Sequence, residues 1–215
     1  MDNSEMVFHY HILHIITRPL LKSLFKFQVF GAENVPVTGG ALLISNHASF
    51  SDPVFLGAAV KRNLNYMARA SLFRVEPIGR FLRSMSAFPV HLGVPDRKAI
   101  RRALQLLDGG KLMLIFGEGT RTIDGTLGEA QPGVGLIAYR TTASILPVFL
   151  DGSLEVLPKG AKMIKLAKVT VSFGKPLDMT SYRASKGSRE IYAKIGAEAM
   201  ERIAELRERR KTRKR

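Results

Sequence analysis

The sequence predicts an α/β protein, built as a single-domain sandwich of helices around a mixed, partly parallel sheet. Short apolar runs alternate with helical patterns through the middle of the chain, which is typical of strands joined by helices within one sheet. The length of 215 residues suits one domain with a sizeable core, and 46% hydrophobic against 24% charged residues is ordinary for a globular protein.

The predicted elements follow in order along the chain. Apolar runs predict strands at Ala41–Ser45, Leu64–Ala68, Ala87–Val90, Lys111–Phe116, Ile145–Leu150 and Lys168–Phe173. Helical spacing predicts helices at Pro53–Val60, Ile78–Met85, Asp96–Leu107, Gly133–Thr142 and Ser188–Arg209. The segment 133–138 has the form GxGxxA but follows a proline rather than a strand. It therefore indicates close helix packing and not dinucleotide binding.

Residues 1–30 are predicted to form amphipathic helices that anchor the protein to a membrane. A polar stripe at four-residue spacing lies beside a broad apolar face, which suits a helix in the headgroup region of an anionic membrane. The stripe consists of His14, Arg18, Lys22 and Lys26, and the face consists of Leu13, Ile16, Leu20, Leu24 and Phe27. Pro19 is expected to kink this segment or to begin a second helix. Docking of the same helix on the core is the alternative.

The charge balance indicates an anionic partner. The net charge is +15, and the last fifteen residues hold eight Lys or Arg against three Glu, so residues 201–215 are predicted to form a basic tail. The partner is nucleic acid, anionic lipid or a phosphorylated ligand, but no nucleic-acid-binding module is recognisable. Cysteine is absent, which excludes disulfides and thiol catalysis. The N-terminal histidines have no acid or cysteine nearby to complete a metal site.

Two polar loops follow predicted strands and carry the candidate chemistry. In the first, His47 precedes Asp52 by five residues. The carboxylate can accept a hydrogen bond from one ring nitrogen and leave the other free to take a proton. In the second, Glu118 precedes Arg121 by three residues, with glycines that let a backbone approach an anion. Helix capping by Asp52 and a local Glu–Arg surface pair are the simpler interpretations.

Together these loops resemble the glycerolipid acyltransferase family that includes the 1-acylglycerol-3-phosphate acyltransferases. The first family motif, N-H-x-S-x-x-D, is matched by Asn46, His47, Ser49 and Asp52. The third, commonly F-P-E-G-T-R-S, is matched by Phe116, Glu118, Gly119, Thr120 and Arg121, with Gly117 in place of the proline and Thr122 in place of the serine. The resemblance covers residues 35–173.

The resemblance implies acyl transfer from acyl-CoA or acyl-carrier protein to the free hydroxyl of a lysophospholipid, without metal or other cofactor. His47 and Asp52 would be catalytic, and Asn46, Ser49, Glu118, Gly119, Thr120 and Arg121 would bind substrate. Glu118 would orient Arg121 or a substrate hydroxyl. An enzyme of this kind is expected at the cytoplasmic face of a membrane, as a peripheral or monotopic protein.

The second family block departs from the family pattern. Many members end it with an arginine that helps to hold the acceptor phosphate, and Leu92 stands there in this sequence. Arg83 or Arg97 is expected to substitute, with Arg83 the preferred candidate. The alternatives are another acceptor, such as a lyso-aminolipid, or a non-catalytic lipid-binding protein of the same fold.

Overall fold

The computed structural model describes residues 16–91, 93–161 and 163–212. The strands are β1 (Gln28–Phe30), β2 (Ala41–Ser45), β3 (Leu64–Arg69), β4 (Ala87–Val90), β5 (Leu112–Phe116), β6 (Ser144–Asp151) and β7 (Thr170–Phe173). The described part of helix α1 covers residues 16–25. The other helices are α2 (Asp52–Ala59), α3 (Glu76–Ser84), α4 (Arg97–Asp108), α5 (Pro132–Arg140), α6 (Ser153–Val156), α7 (Thr180–Ala184) and α8 (Arg189–Thr212).

One seven-stranded sheet has the order β1-β7-β6-β2-β5-β3-β4. Strands β2, β3, β4, β5 and β6 all run in the same direction, whereas β7 runs antiparallel to β6 and parallel to β1. The carboxyl ends of the five parallel strands therefore lie along one edge of the sheet. We call this the carboxyl edge.

Helices cover both faces of the sheet, so the predicted sandwich is confirmed. Alternate residues of β2 point to opposite faces, as the strand geometry requires. Ala41 and Leu43 pack with Phe55 of α2 on one face, and Leu42 and Ile44 pack with residues of α4, α5 and α8 on the other.

The helix α1 packs on the core and also exposes apolar side chains. Leu21 and Phe25 are buried, and the Phe25 ring meets the Phe55 ring edge to face with 5.3 Å between their centroids. Ile16, Leu20 and Leu24 are exposed on the same helix. Residues 1–15 of the predicted anchor at 1–30 lie outside the described residues, and they include Leu13 and His14 of the predicted apolar face and polar stripe. Within the described residues, no helix is both long and apolar enough to cross a bilayer.

The C-terminal charge run continues a packed helix for most of its length. Helix α8 reaches Thr212, and Ile203 and Arg210 are buried in it. Arg210 Nη2 donates a hydrogen bond to Thr170 Oγ1 at 3.0 Å, and its guanidinium lies over the Phe30 ring at 5.3 Å. Residues 201–212 of the predicted basic tail thus form the last turns of a helix docked on the sheet, and residues 213–215 lie outside the described residues.

Candidate active site

The side chain of Asn46 extends the sheet by one further pairing beyond β2. Its Nδ2 donates to the carbonyl oxygen of Leu150 at 3.0 Å, and its Oδ1 accepts from the Leu150 N–H at 2.9 Å. These two bonds imitate a backbone pair between β2 and β6. They fix the point at which the chain leaves the carboxyl edge and enters the loop that carries His47.

His47 and Asp52 form a short hydrogen bond. Their Nδ1 and Oδ2 atoms lie 2.7 Å apart, and Asp52 is fully buried at the start of α2. The same Oδ2 accepts the backbone N–H groups of Ala48 at 2.7 Å and Ser49 at 2.9 Å. The loop folds around this carboxylate because three donors, two of them backbone groups, converge on one oxygen.

The imidazole of His47 is held in one plane. It stacks on the Phe116 ring with a centroid separation of 3.7 Å and an angle of 12° between the rings. The side chain is 17% exposed, and Nε2 has no hydrogen-bond partner among the described residues. The site therefore presents one oriented ring nitrogen that is free to exchange a proton.

The loop after β5 is tied directly to the loop after β2. The backbone N–H of His47 donates to Glu118 Oε1 at 3.3 Å, and the His47 carbonyl accepts from the Thr122 N–H at 2.9 Å. The two motifs, about seventy residues apart in sequence, lie side by side because β2 and β5 are neighbours in the sheet.

Glu118 connects the loop after β2 to the loop after β5. Its carboxylate binds the backbone N–H groups of His47 and Gly128. Between the described side chains of Glu118 and Arg121 there is no ion pair. Glu118 is 8% exposed, and this burial raises the pKa of its carboxyl group against the opposing effect of those two hydrogen bonds. The acid holds the two loops together and is not paired with Arg121, and its expected role toward a substrate hydroxyl stays a prediction.

Asn46 and Ser49, both expected to bind substrate, are buried and satisfied by protein groups. Ser49 Oγ donates to the Leu157 carbonyl at 2.8 Å and lies 2.8 Å from Ser51 Oγ. The Asn46 amide is used by Leu150. Their hydrogen bonds make them positioning residues for the His47 loop.

Arg121 lies close to the His–Asp pair and is accompanied by a second cation. Its guanidinium stacks over the Phe50 ring at 4.1 Å from the centroid. Burial is the main cause that lowers the pKa of Arg121, and the positive charge of Arg69 lowers it further, whereas the charge of Asp52 acts in the opposite direction. Arg69 is the last residue of β3 and was not singled out from the sequence. A basic residue directly after the predicted strand 64–68 was the signal available.

The remaining candidates are placed differently. Gly119 makes a turn with a φ of 70°, and its N–H donates to the Phe116 carbonyl, so this N–H is not free for an anion. Thr120 is exposed. Arg83 lies on α3, where its Nη2 is 3.0 Å from Glu76 Oε1 of the same helix. The charge of Arg69 acts on Arg121, whereas the phosphate-binding role expected of Arg83 stays a prediction.

A second histidine–aspartate pair lies at the end of β4. His91 Nδ1 is 2.9 Å from Asp96 Oδ2, with the same five-residue spacing as in the first pair. Its histidine side chain is 67% exposed, whereas that of His47 is 17% exposed. A hydrogen bond from the Ala99 N–H is the largest cause that lowers the pKa of Asp96 to about 2, which is typical of a helix cap. This pair provides a natural comparison for His47.

The fold and the site define an α/β protein with an oriented histidine–carboxylate pair and two arginines at the carboxyl edge of its sheet. Among the described residues, no group of three or more His, Cys, Asp or Glu is placed to hold a metal ion.

Known proteins of one family are similar to this chain. The Acyltransferase family model matches residues 26–151, which is more than half of the chain. The 1-acyl-sn-glycerol-3-phosphate acyltransferase of Bacillus subtilis is 29% identical over 180 residues, covering 83% of this chain and 87% of that protein. The chloroplastic 1-acyl-sn-glycerol-3-phosphate acyltransferase LPAT1 of Arabidopsis thaliana is 26% identical, covering 82% of this chain and 50% of that protein.

A solved structure is also similar. The 1-acyl-sn-glycerophosphate acyltransferase PlsC of Thermotoga maritima superposes with a TM-score of 0.73 at 24% identity, covering 96% of this chain and 84% of that one. The chain belongs to the acyltransferase family, and its fold is that of the PlsC structure. It spans half the length of the Arabidopsis relative.

Proposed function

We propose that this protein transfers an acyl group from an acyl thioester to the free hydroxyl of 1-acylglycerol-3-phosphate, which gives phosphatidic acid for phospholipid synthesis. The observation that carries the proposal is the 2.7 Å contact between His47 Nδ1 and Asp52 Oδ2, which leaves Nε2 as a positioned base. The names of the Bacillus and Arabidopsis relatives support this acceptor.

The chemical step needs no covalent intermediate on the protein. His47 Nε2 takes the proton of the acceptor hydroxyl as its oxygen attacks the thioester carbonyl carbon. The C–O bond forms, the C–S bond breaks, and the leaving thiolate takes the proton back from the imidazolium. Asp52 holds the ring in one tautomer and stabilises the imidazolium while it is present.

The two arginines provide the site for the acceptor phosphate. Arg121 offers a planar fork of donors, and its stacking on Phe50 fixes the plane of that fork. Arg69 adds a second positive charge beside it. Because two nearby guanidinium groups repel one another, a dianion between them is stabilised by both. This pair favours a glycerophosphate over a neutral or cationic lysolipid.

The first test measures thiol release from acyl-CoA by the purified protein, with lysophosphatidate as acceptor. His47→Ala is expected to lower the rate by about 10²–10⁴-fold, because the general base is lost. His91→Ala is the matched control, since it removes a histidine from a pair with the same spacing, and it is expected to keep the rate of the wild type.

The outcomes separate the alternatives. Release that depends on both the acceptor and His47 supports the proposed reaction. If the folded protein is inactive with acyl-CoA, the same assay with acyl-carrier protein as donor, and then with a panel of lysolipids, tests the donor and the acceptor. Inactivity with all of them would overturn the proposal in favour of a non-catalytic lipid-binding protein.

A further inference from the structure

Exposed apolar side chains are concentrated in the segments that follow the carboxyl ends of the strands. Outside α1, the large exposed apolar residues of this kind are Phe50, Val75, Ile78, Phe81, Val94, Ile123, Met163, Ile164 and Leu166. The exception is Val37, which precedes β2 and so lies toward the opposite edge. Burial of apolar surface is the dominant stabilising effect in folding, so a rim of such residues around one edge indicates a surface with an apolar partner.

The segment between α6 and β7, residues 157–168, is the most apolar part of this rim, and we call it the 157–168 loop. Met163, Ile164 and Leu166 are 78%, 63% and 67% exposed. The loop lies at the carboxyl edge because β7 runs antiparallel to β6. Its start contacts the site through the bond from Ser49 Oγ to the Leu157 carbonyl. The residue after its end, Val169, donates its N–H to the carbonyl of Phe25 at the end of α1.

Basic residues alternate with the apolar ones in this loop. Lys159, Lys165 and Lys168 are exposed, and the loop sequence contains no acid. The cations Arg74 and Arg80 accompany the exposed residues Val75, Ile78 and Phe81 near and on α3. Apolar side chains interleaved with cations fit the interface of an anionic membrane. The apolar side chains enter the outer part of the acyl-chain region, and the cations contact the lipid phosphates.

We propose that the 157–168 loop docks on the surface of an anionic membrane, so that the carboxyl edge of the sheet faces the bilayer directly. The proposal rests on the proposed function, since the acceptor is then a lipid of that bilayer. Charge complementarity and the continuity of the loop with α1, whose Leu20 and Leu24 are also exposed, favour a lipid surface over another protein chain. An acceptor can then pass from the bilayer to His47 without crossing water.

The test measures binding of the full chain to vesicles of phosphatidylglycerol and phosphatidylcholine by co-sedimentation, without acyl donor or acceptor. The triple variant Met163→Ser, Ile164→Ser, Leu166→Ser is expected to raise the apparent Kd about tenfold or more, since three apolar side chains no longer enter the bilayer. Ile164→Ser alone is compared with Val37→Ser, which changes an even more exposed apolar residue, 87% against 63%, away from this edge. Val37→Ser is expected to leave the Kd within about twofold. Circular dichroism and thermal unfolding confirm that each variant is folded.

Two results would overturn the proposal. One is unchanged vesicle binding by the folded triple variant. The other is a loss of self-association in sedimentation velocity with vesicle binding intact, which would assign the loop to contact with a second copy of the chain. Acyl transfer to a short-chain, water-soluble acceptor is measured separately and is expected to be unchanged in the triple variant. If the wild type fails that assay, the proposed function fails, whereas the vesicle result still decides the docking proposal.

Discussion

Asp52 Oδ2 accepts the side-chain hydrogen bond of His47 together with two backbone N–H groups from the residues between them. A single oxygen thus sets both the tautomer of the imidazole and the fold of the loop. The other oxygen, Oδ1, is buried without a hydrogen-bond partner among the described residues. One oxygen of the Asp52 carboxylate thus accepts three hydrogen bonds, and the other accepts none from the described residues. Substitution of Asp52 is therefore expected to change both the catalytic rate and the stability of the protein.

Asp52→Asn is expected to lower kcat by about 10²–10⁴-fold, because an amide neither stabilises the imidazolium nor keeps a strong preference for one tautomer. The KM for the acyl thioester is expected to stay near that of the wild type. Loss of a charged acceptor for three donors is expected to cost about 1–3 kcal/mol of unfolding free energy. Steady-state kinetics and urea unfolding measure the two effects, and a variant with an unchanged kcat would contradict the assigned role of Asp52.

Arg121→Lys is expected to raise the KM for lysophosphatidate about tenfold and to leave the KM for the thioester unchanged. Lysine keeps the charge but loses the planar fork and the stacking on Phe50. The same assay with a lysolipid that lacks the phosphate monoester is the control, and there the variant should match the wild type. An equal loss with both acceptors would place Arg121 elsewhere in the reaction.

Glu118→Gln is expected to change how stability depends on pH. The ordinary carboxyl pKa is about 4.3. Burial raises the pKa of Glu118 above that value in the folded state, so the folded protein keeps this proton after the unfolded chain has lost it. The contribution of Glu118 to stability is full at low pH. It falls as the pH rises from the ordinary carboxyl pKa through the raised pKa of Glu118 in the folded protein. Within that interval the wild type is expected to lose up to about 1.4 kcal/mol per pH unit relative to Glu118→Gln.

Urea unfolding of both proteins between about pH 4 and 8 measures this difference. Glutamine keeps one oxygen, which can accept the N–H of His47, so the connection between the two loops is expected to remain. If the unfolding free energy of the wild type rose relative to that of Glu118→Gln as the pH increased, the pKa of Glu118 in the folded state would be lowered instead.

Gly135→Ala is expected to destabilise the protein by about 1–3 kcal/mol. Gly135 lies where α5 crosses α8, and a Cβ at this position would overlap the backbone carbonyl of Tyr192, which has no flexible end that could move away. Gly133→Ala is the matched control on the same helix, because a Cβ there meets nothing within 4 Å. Thermal unfolding compares them, and equal midpoints for the two variants would contradict this packing.

Most of the sheet could be predicted from the sequence because its central strands are buried on both faces. Strands β2 and β4 begin and end as predicted, and β3 and β5 differ from the prediction by one residue at one end. Strand β6 is one residue longer at each end, and β7 begins two residues later than predicted. Strand β1 was missed because three half-exposed residues carry no periodicity, and its pairing with β7 depends on contacts distant in sequence. Helices α6 and α7, of four and five residues, were missed for the same reason.

The site was predictable in its chemistry but not in its geometry. The spacing of His47 and Asp52 indicated a base and its partner, and a 2.7 Å contact joins them. The sequence could not show that the side chains of Asn46 and Ser49 bind backbone groups inside the protein. An asparagine or serine in a loop can bind either backbone groups or a substrate, and the sequence does not distinguish the two. Arg69 was missed since it lies alone at the end of β3, and only the sheet order brings it near Arg121.

The pairing of the Asn46 side chain with Leu150 has a consequence for the energetics of turnover. The His47 loop starts from a sheet position fixed by two hydrogen bonds, and its next residues are held by Asp52. Fixing the backbone of a residue costs about 1–2 kcal/mol of conformational entropy. Here that entropy is lost once, during folding, so each catalytic cycle begins with an imidazole that is already ordered.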